Sequence, residues 1–488
     1  MPMRRLGGPI LGIIIPYIIF EWLRRQPSWD LMLTLPTGHF YIVSAVSFLA
    51  IIIAFLIGIA GRRLRNIKVG FLALAFISLA EIFMVHGLST PNFIIHQTHL
   101  PGVMAPLSVV AATIWLWLST LSSDHRIVIF FAKYERLLLP LWTITLALMG
   151  TLAMLMPHGL NFVKLDVYPI NYAVTVIIAL LNLHTMYQYF QSYSYSRFPL
   201  QIAIVYSAGW LIVAQIIMVM GENWRISWWI YHFLLLASMI IMLWGLIKQY
   251  VANRSLAEAM RALFTTDPYE RITNSISPSV KALMMATESK DHYTAGHNFR
   301  VTVYALKIAE QLQLRPDQLR ALAHGTIIHD IGKLEIPDDI LNKPGKLTAE
   351  EREVIESHPL SGYEMCRKLG FMKEELEIIR HHHEKWNGTG YPDQLRGEQI
   401  PRMARIVAVA DVYDALTSDR AYRKALSHED ALLFLIEQKG IHFDPVCVEA
   451  WKKVCERVPH IQREVTYKYE QKITSDEYVL SNEATRNM

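Results

Sequence analysis

Charge is scarce in this chain. Only 18% of its 488 residues are Asp, Glu, Lys or Arg, against 52% apolar, and the mean hydropathy is +0.24. A water-soluble enzyme usually carries more charge than that. The shortage is also uneven. Long apolar runs lie almost entirely before Tyr250, while charged residues crowd the second half. Such a step marks a membrane domain joined to a soluble one. Cysteine is scarcer still. Cys366, Cys447 and Cys455 all fall in the soluble half without CxxC spacing, which excludes a disulfide framework and a cysteine-built zinc site. The net charge of +4 is too small to be a nucleic-acid footprint, so no nucleic-acid polymer is expected as a partner.

A membrane-crossing helix needs roughly 20 mostly apolar residues. Eight segments qualify, near 7–23, 40–60, 69–88, 101–121, 137–156, 168–190, 200–220 and 228–248. Glu21, Arg24 and Arg25 crowd the end of the first, but no small-residue cleavage site follows, so it reads as a retained helix. Lys and Arg in short loops set orientation. With the N-terminus inside, twelve basic residues, from Arg4 and Arg5 to Lys248 and Arg254, become cytoplasmic, and four (Arg24, Arg25, Lys164, Arg225) lie outside. An even number of spans returns the soluble half to the cytoplasm. The expectation is a multi-pass protein of the inner (cytoplasmic) membrane with both termini cytoplasmic and the lipid bilayer as a partner.

Ionisable groups within or beside spans are costly and invite a functional reading. Here they are Glu81, His86, His184 and His232, with His96, His99 and His158 in outer loops. Five residues separate Glu81 from His86, a poor spacing for shared metal ligation on a helix. Interfacial hydrogen bonding and packing is therefore favoured over a haem or metal sensor. No repeated halves and no row of charges point to transport, which leaves a sensory or anchoring role for residues 1–250.

A helical connector is expected over 251–280, broken by Pro268 and Pro278 into a short helix, a turn near Thr265–Pro268 and a second helix. Residues 281–462 form the soluble domain, and 463–488 a polar tail. Apolar spacing in the soluble domain is helical, as in Val301, Tyr304, Ala305, Ile308 and Ala309. Alternation is confined to Ile406–Val409, which suits a buried helix equally well. The whole chain is read as all-α.

Histidines and carboxylates punctuate these helices. In His329-Asp330-Ile-Gly-Lys333 an imidazole and a carboxylate occupy adjacent helical positions and can ligate neighbouring metals, with Lys333 one turn from His329. Mixed imidazole and carboxylate ligation suits iron, manganese or another divalent first-row metal better than a closed structural zinc site. Further along stand His382-His383-Glu384-Lys-Trp-Asn-Gly388-Thr-Gly390-Tyr391-Pro392, Tyr293-Thr-Ala-Gly-His297, Asn342-Lys-Pro-Gly345, His358-Pro359, Ala410-Asp411-Val-Tyr-Asp414, Asp419-Arg420-Ala-Tyr-Arg423 and His442-Phe-Asp444-Pro445.

These ordered segments resemble the HD superfamily of metal-dependent phosphohydrolases, and within it the HD-GYP branch, recognised by HDxGK together with HHExxxGxGYP. The likeness covers roughly residues 280–460. It implies an all-helical domain with a multinuclear metal centre whose ligands map to His297, His329, Asp330, His358, His382, His383 and Asp411. Asp330 would bridge two metals and, with Lys333, carry catalysis. The metals would acidify a bridging water and hold the scissile phosphate for in-line attack. Lys333 would neutralise a phosphate oxygen, and Arg420 and Arg423 would contact phosphate, their alternative being a solvated helix end paired with Asp419 or Asp414. The loop at Gly388, Gly390 and Tyr391 would shape the substrate pocket and meet partner domains. Glu384 is either an outer acceptor for a ligand histidine or structural, and His324 and His381 match no ligand position.

Some members of the branch carry Glu where this sequence has Tyr293, and hold three metals. Two divalent ions, iron or manganese, are therefore expected, with linear pGpG as the main product of cyclic di-GMP hydrolysis and GMP as a further one. No expected ligand is missing, which favours an enzyme over the alternative, a catalytically weak cyclic-dinucleotide receptor. A phosphodiesterase for another cyclic dinucleotide is a second alternative. A second copy of the chain, and signalling proteins meeting the Gly388–Tyr391 loop, complete the expected partners.

Overall fold

The computed structural model describes residues 3–91, 99–123, 125–157, 165–253, 255–264, 276, 278–291, 296–419 and 424–466. The chain divides into two compact units, Met1–Thr266 and Asp267–Met488. Among the described residues both are helical, with two isolated β-bridges and no strand.

The first unit holds α1 (Met3–Arg24), α2 (Pro36–Leu64), α3 (Ile67–Leu88), α4 (Leu100–Leu118), α5 (Arg126–Ala132), α6 (Glu135–Leu155), α7 (Ile170–Ser196), α8 (Pro199–Met220), α9 (Ile226–Asn253) and α10 (Leu256–Phe264). Proline sits in the first turn of α2, α4 and α8, where a missing N–H costs nothing. Eight of these helices are long and apolar enough to cross a membrane, in the order expected. They are not equivalent. The apolar stretch of α3 is 78% buried, against 6% in α1 and 11% in α6, so α3 is the central helix and the other two are peripheral. Phe48, Phe55, Leu141, Leu148, Ile177 and Leu180 stand exposed on α2, α6 and α7, the arrangement a hydrocarbon surrounding permits. His184 is exposed on α7 with Gln188 Nε2 3.4 Å from its ring, whereas His86 and His232 are buried. Of the outer-loop histidines, His96 and His158 lie outside the described residues.

The second unit holds α11 (Pro278–Lys290), α12 (His297–Gln311), α13 (Pro316–Thr326), a 3-10 turn (Ile331–Glu335), α14 (Asp338–Leu341), α15 (Ala349–Glu356), α16 (His358–Lys368), α17 (Lys373–His381), a second 3-10 turn (Gly397–Gln399), α18 (Arg402–Thr417), α19 (His428–Glu437) and α20 (Pro445–Arg457). Pro278 begins a helix here instead of breaking one, and the expected turn near Thr265–Pro268 lies outside the described residues. Ile327, Ile328, Ile331, Cys366, Leu376 and Ile379 form one buried apolar cluster. Tyr304, Tyr413 and Trp451 form an aromatic one, with ring centroids 4.7–5.4 Å apart. All three cysteines are buried and free. Ile406–Val409 lies in α18, buried on every side, which is why its alternation carries no strand.

Candidate metal centre

Seven histidine and aspartate side chains from five stretches of the second unit converge on one buried place. His297 opens α12, His358 opens α16, and His382 and His383 follow α17. Asp411 lies within α18. His329 and Asp330 sit on the turn between α13 and the 3-10 turn, not on a continuous helix as their spacing had suggested. The turn brings Lys333 to the Asp330 carboxylate, with Nζ 2.7 Å from Oδ2, rather than beside His329.

The donors fall into two sets. Asp330, His358, His382 and His383 each offer an atom to one, and His297, His329 and Asp330 to the other, so Asp330 is common to both. Its Oδ1 lies 3.3 Å from His358 Nε2 and 3.8 Å from His382 Nε2. Its Oδ2 lies 3.6 Å from His329 Nε2 and 3.9 Å from His297 Nε2. Asp411 joins the second set through His297, with Oδ1 3.2 Å from Nε2.

Backbone carbonyls set the tautomers. The Nδ1 groups of His329, His358 and His382 donate to the carbonyls of Thr326, Ile355 and Ile379, at 2.7, 2.7 and 2.9 Å. Each carbonyl lies three residues earlier, so each neutral ring turns a bare Nε2 inward, as a metal ligand requires. His329 Nε2 is buried with no hydrogen-bond partner, a lone pair facing the other donors. His297 is held differently. Its Nδ1 donates to Asp414 Oδ2 at 2.8 Å, and Arg300 grips the same carboxylate with Nε and Nη2 at 2.7 and 2.9 Å.

Electrostatics suits the same chemistry. Burial, and then the neighbouring His358, pushes the His383 imidazole down to about 3. Burial and the charge of His383 hold His382 well below the usual histidine range. Burial alone would raise the Asp330 carboxyl, but Lys333, His329 and His358 outweigh it and hold it well below the usual carboxylate range. The neutral imidazoles of His382 and His383 beside an ionised carboxylate are donors a hard-to-borderline divalent cation takes. Burial alone would lower His297, but the Asp411 and Asp414 carboxylates outweigh it and raise that imidazole to about 9, so this ring gives up a proton when it ligates. The residues present fit such an ion.

Lys333 is committed to two carboxylates, with Asp291 Oδ2 3.1 Å away on the other side. Gly388, Gly390 and Tyr391 follow the paired histidines. The Tyr391 ring lies 4.9 Å from that of His383, so the loop forms a wall of the centre. Arg420, Arg423 and Tyr293 lie outside the described residues. Glu384 does not serve a ligand histidine. It accepts the backbone N–H groups of Asp393 and Leu395 at 2.7 and 3.1 Å, pinning the loop. His381 and Arg380 bind Asp393 from the outside at 2.9 and 2.7 Å, and His324 pairs with Glu375 at 3.1 Å.

Sequence reasoning missed Asp414, Arg300 and Asp291 as supports of the centre. The signal for Asp414 was present: it lies one helical turn after Asp411 and shares its face. Glu384→Ala would leave two part-buried N–H groups without this acceptor. Bonds to a charged acceptor contribute about 1.5–3 kcal/mol each, so a stability loss of about 3 kcal/mol is expected, with unchanged metal content. Thermal unfolding and metal analysis of the variant check this.

Two sets of imidazole and carboxylate donors sharing an aspartate, on an all-helical frame, define a metal-dependent phosphohydrolase centre of the HD type. Residues 281–447 match the HD domain family, and the second unit is an HD domain of the HD-GYP kind. It is 43% identical over 194 residues to a cyclic di-GMP phosphodiesterase of Vibrio cholerae, covering 37% of this chain and 39% of that one. It is 41% identical over 205 residues to a cyclic di-GMP phosphodiesterase response regulator of Xanthomonas campestris, covering 42% of this chain and 53% of the other. A 3'3'-cGAMP-specific phosphodiesterase of Vibrio cholerae is 40% identical over 169 residues, 34% of this chain and 32% of its own. The chain thus spans about half the length, or less, of the curated relatives it matches.

Proposed function

We propose that this protein is a membrane-anchored, metal-dependent phosphodiesterase that opens cyclic di-GMP to linear pGpG, and further to GMP. The observation that carries the reading is the pair of donor sets meeting on Asp330. It supports two divalent ions, iron or manganese, held by His297, His329 and Asp411 on one side and by His358, His382 and His383 on the other. When bound, the ions lower the pKa of a water and neutralise charge developing on the phosphate.

The chain's own residues do the rest. Asp330 keeps both sets in register, and the Lys333–Asp291 pair fixes its carboxylate. Lys333 carries the positive charge nearest that carboxylate and offsets charge on a phosphate oxygen entering beside it. Arg420 and Arg423 are assigned the outer phosphate oxygens. Gly388, Gly390 and Tyr391 form the wall against which a nucleotide lies and a surface for protein partners. In the reaction water adds to one phosphodiester phosphorus, the P–O3' bond breaks, and the leaving 3' oxygen takes a proton. One linear dinucleotide with a 5'-phosphate results.

The first unit is the anchor. Its eight apolar helices and the excess of Lys and Arg in alternate loops support a multi-pass place in the inner membrane with both termini cytoplasmic. Modulation of the enzyme by this unit completes the reading. The similar identities to cyclic di-GMP and 3'3'-cGAMP phosphodiesterases, 43% and 40%, favour keeping cyclic GMP-AMP as a second substrate.

Purified full-length protein reconstituted with iron or manganese and offered cyclic di-GMP, 3'3'-cGAMP and cyclic di-AMP tests this. Cyclic di-GMP is expected to turn over fastest, with pGpG appearing before GMP. Binding without turnover of any of the three would support the receptor reading and overturn the enzyme. A preference for 3'3'-cGAMP of tenfold or more, about 1.4 kcal/mol in the transition state, would move the assignment to that substrate.

A further inference from the structure

A second histidine cluster lies in the first unit. His39 stands in the first turn of α2, His86 in the last turn of α3 and His232 in the second turn of α9, all at one end of the helical bundle. They are 2%, 3% and 0% exposed, and each offers a ring nitrogen within 4.8 Å of the others. No single helix could show this, and His39 was not among the residues singled out from sequence. The close approach comes from Gly87, whose missing Cβ would stand 2.6 Å from Val43 of α2. Any larger residue there would push α3 from α2 and His86 from His39.

Hydrogen bonding settles the ring protons of two of the three. Thr90 spends its hydroxyl proton on the Gly87 carbonyl at 2.6 Å, so its oxygen can only accept from His39 Nδ1 at 2.8 Å. His86 Nδ1 donates to the Pro101 carbonyl at 2.9 Å. Both neutral rings therefore carry their proton on Nδ1. Their bare Nε2 atoms nonetheless face each other at 3.0 Å, and two lone pairs at that distance need a cation between or beside them. Tyr231 reaches His86 Nε2 at 3.3 Å but not His39.

A bridging proton would join those two rings and leave the third without use. His232 is fully buried, and neither of its ring nitrogens has a hydrogen-bond partner among the described residues, apart from a loose approach to the Trp229 carbonyl. Its ring centroid lies 4.6 Å from that of His39. Buried imidazole nitrogens are rarely left orphaned, and one cation shared by three would satisfy all of them at once. The arrangement of Nδ1 on Thr90 and on a carbonyl, with Nε2 inward, is the outer support that metal-ligating histidines have.

The surroundings keep water out and hold the rings still. Trp228 stacks on His39 at 5.6 Å, and Phe83 on His86 at 5.1 Å. Asp30 accepts from the Ser227 N–H and hydroxyl at 2.8 Å each, and Trp229 donates to the Leu33 carbonyl at 3.1 Å, so the segment before α2 is tied to the start of α9 over the cluster. From this geometry we infer that His39, His86 and His232 form a site for one first-row transition-metal ion of the imidazole-preferring class, such as zinc or copper. Metal–nitrogen bonds of about 2.0–2.1 Å at a tetrahedral angle put neighbouring ligand nitrogens about 3.3 Å apart, a few tenths of an ångström beyond the 3.0 Å between His39 and His86. The site is separate from the HD centre and stands whether or not the HD unit is an enzyme.

The test is metal counting on the full-length chain in detergent, stripped with chelator and reloaded with zinc buffered at nanomolar free concentration. Wild type is expected to hold one more zinc per chain than either His232→Phe or His86→Gln, and the double variant to lose no more than one. Equal zinc in wild type and both variants overturns the inference. A chain with His329, Asp330 and His382 all changed to Ala leaves the first unit untouched and covers the case in which the histidine variants do not fold. It is expected to keep one zinc, and a zinc-free chain overturns the inference. Loss of the HD centre's own metal is read separately, as the difference between wild type and that triple variant.

Discussion

Asp330→Ala is expected to abolish turnover, lowering kcat by about a thousandfold or more, and to lower the metal bound at the HD centre. The size follows from where the carboxylate sits. One oxygen faces His358 and His382, the other His329 and His297, so a single truncation removes a donor from both sets. It also strips Lys333 of its nearer anion, leaving the buried ammonium with Asp291 as its carboxylate partner. Removing one partner of a buried charge pair costs about 3–5 kcal/mol, so some loss of stability accompanies the loss of metal. Asp330→Asn separates the two effects. It fills the same volume and keeps a dipole for Lys333, but supplies no anion for two cations to share, and its activity should fall nearly as far while its unfolding temperature stays closer to wild type. Metal analysis, turnover of cyclic di-GMP and thermal unfolding on the three proteins read this out. Full activity with either variant would remove the shared-aspartate mechanism.

What was legible beforehand depended on how local the cause was. The eight helices long and apolar enough to cross a membrane could be read because each needs only its own run of apolar residues. The HD centre was legible because its donors recur in short ordered motifs, each stretch carrying part of the set: His297 before the bulk of α12, His329 and Asp330 together, His358 beside Pro359, His382 beside His383. Residues that act across the fold were not. Arg300 and Asp414 meet only when α12 packs on α18, 114 positions apart in the chain. His39 is an ordinary-looking residue after Thr37 and Gly38, and its partners lie 47 residues away on α3 and still further on α9. The spacing of Glu81 and His86 along α3 carries no trace of His39, Tyr231 and His232, the neighbours of His86 that other helices supply. The turn at His329-Asp330 misled for the opposite reason. Its apolar neighbours Ile327, Ile328 and Ile331 keep helical spacing, but burying all three against Cys366 and Ile379 requires the chain to tighten into a 3-10 turn.

That tightening sets up the largest expected effect on folding. Gly332→Ala should destabilise the second unit by about 3 kcal/mol or more, and take the metal centre with it. A Cβ at this position would stand 1.9 Å from the His358 carbonyl oxygen and 2.6 Å from the Gly362 backbone nitrogen. Both obstacles are main chain, so no side chain can swing aside. Overpacking in a well-packed interior costs about 1–3 kcal/mol when side chains can adjust, and a backbone clash lies beyond that range. Relief requires α16 to move away from the 3-10 turn. His358 is the first residue of α16 and Asp330 precedes the turn, so that movement opens the 3.3 Å approach between His358 Nε2 and Asp330 Oδ1. Gly362 presents the reciprocal case, with its Cβ position 3.1 Å from the Gly332 nitrogen and 3.0 Å from Ile379, so Gly362→Ala should cost less. Chemical denaturation of the two variants, with metal content measured alongside, gives the comparison. The sharper loss is expected in Gly332→Ala, both in stability and in the donor set that shares Asp330 with His358. If the two variants lose the same amount, the close backbone approach at Gly332 is not what holds His358 against Asp330.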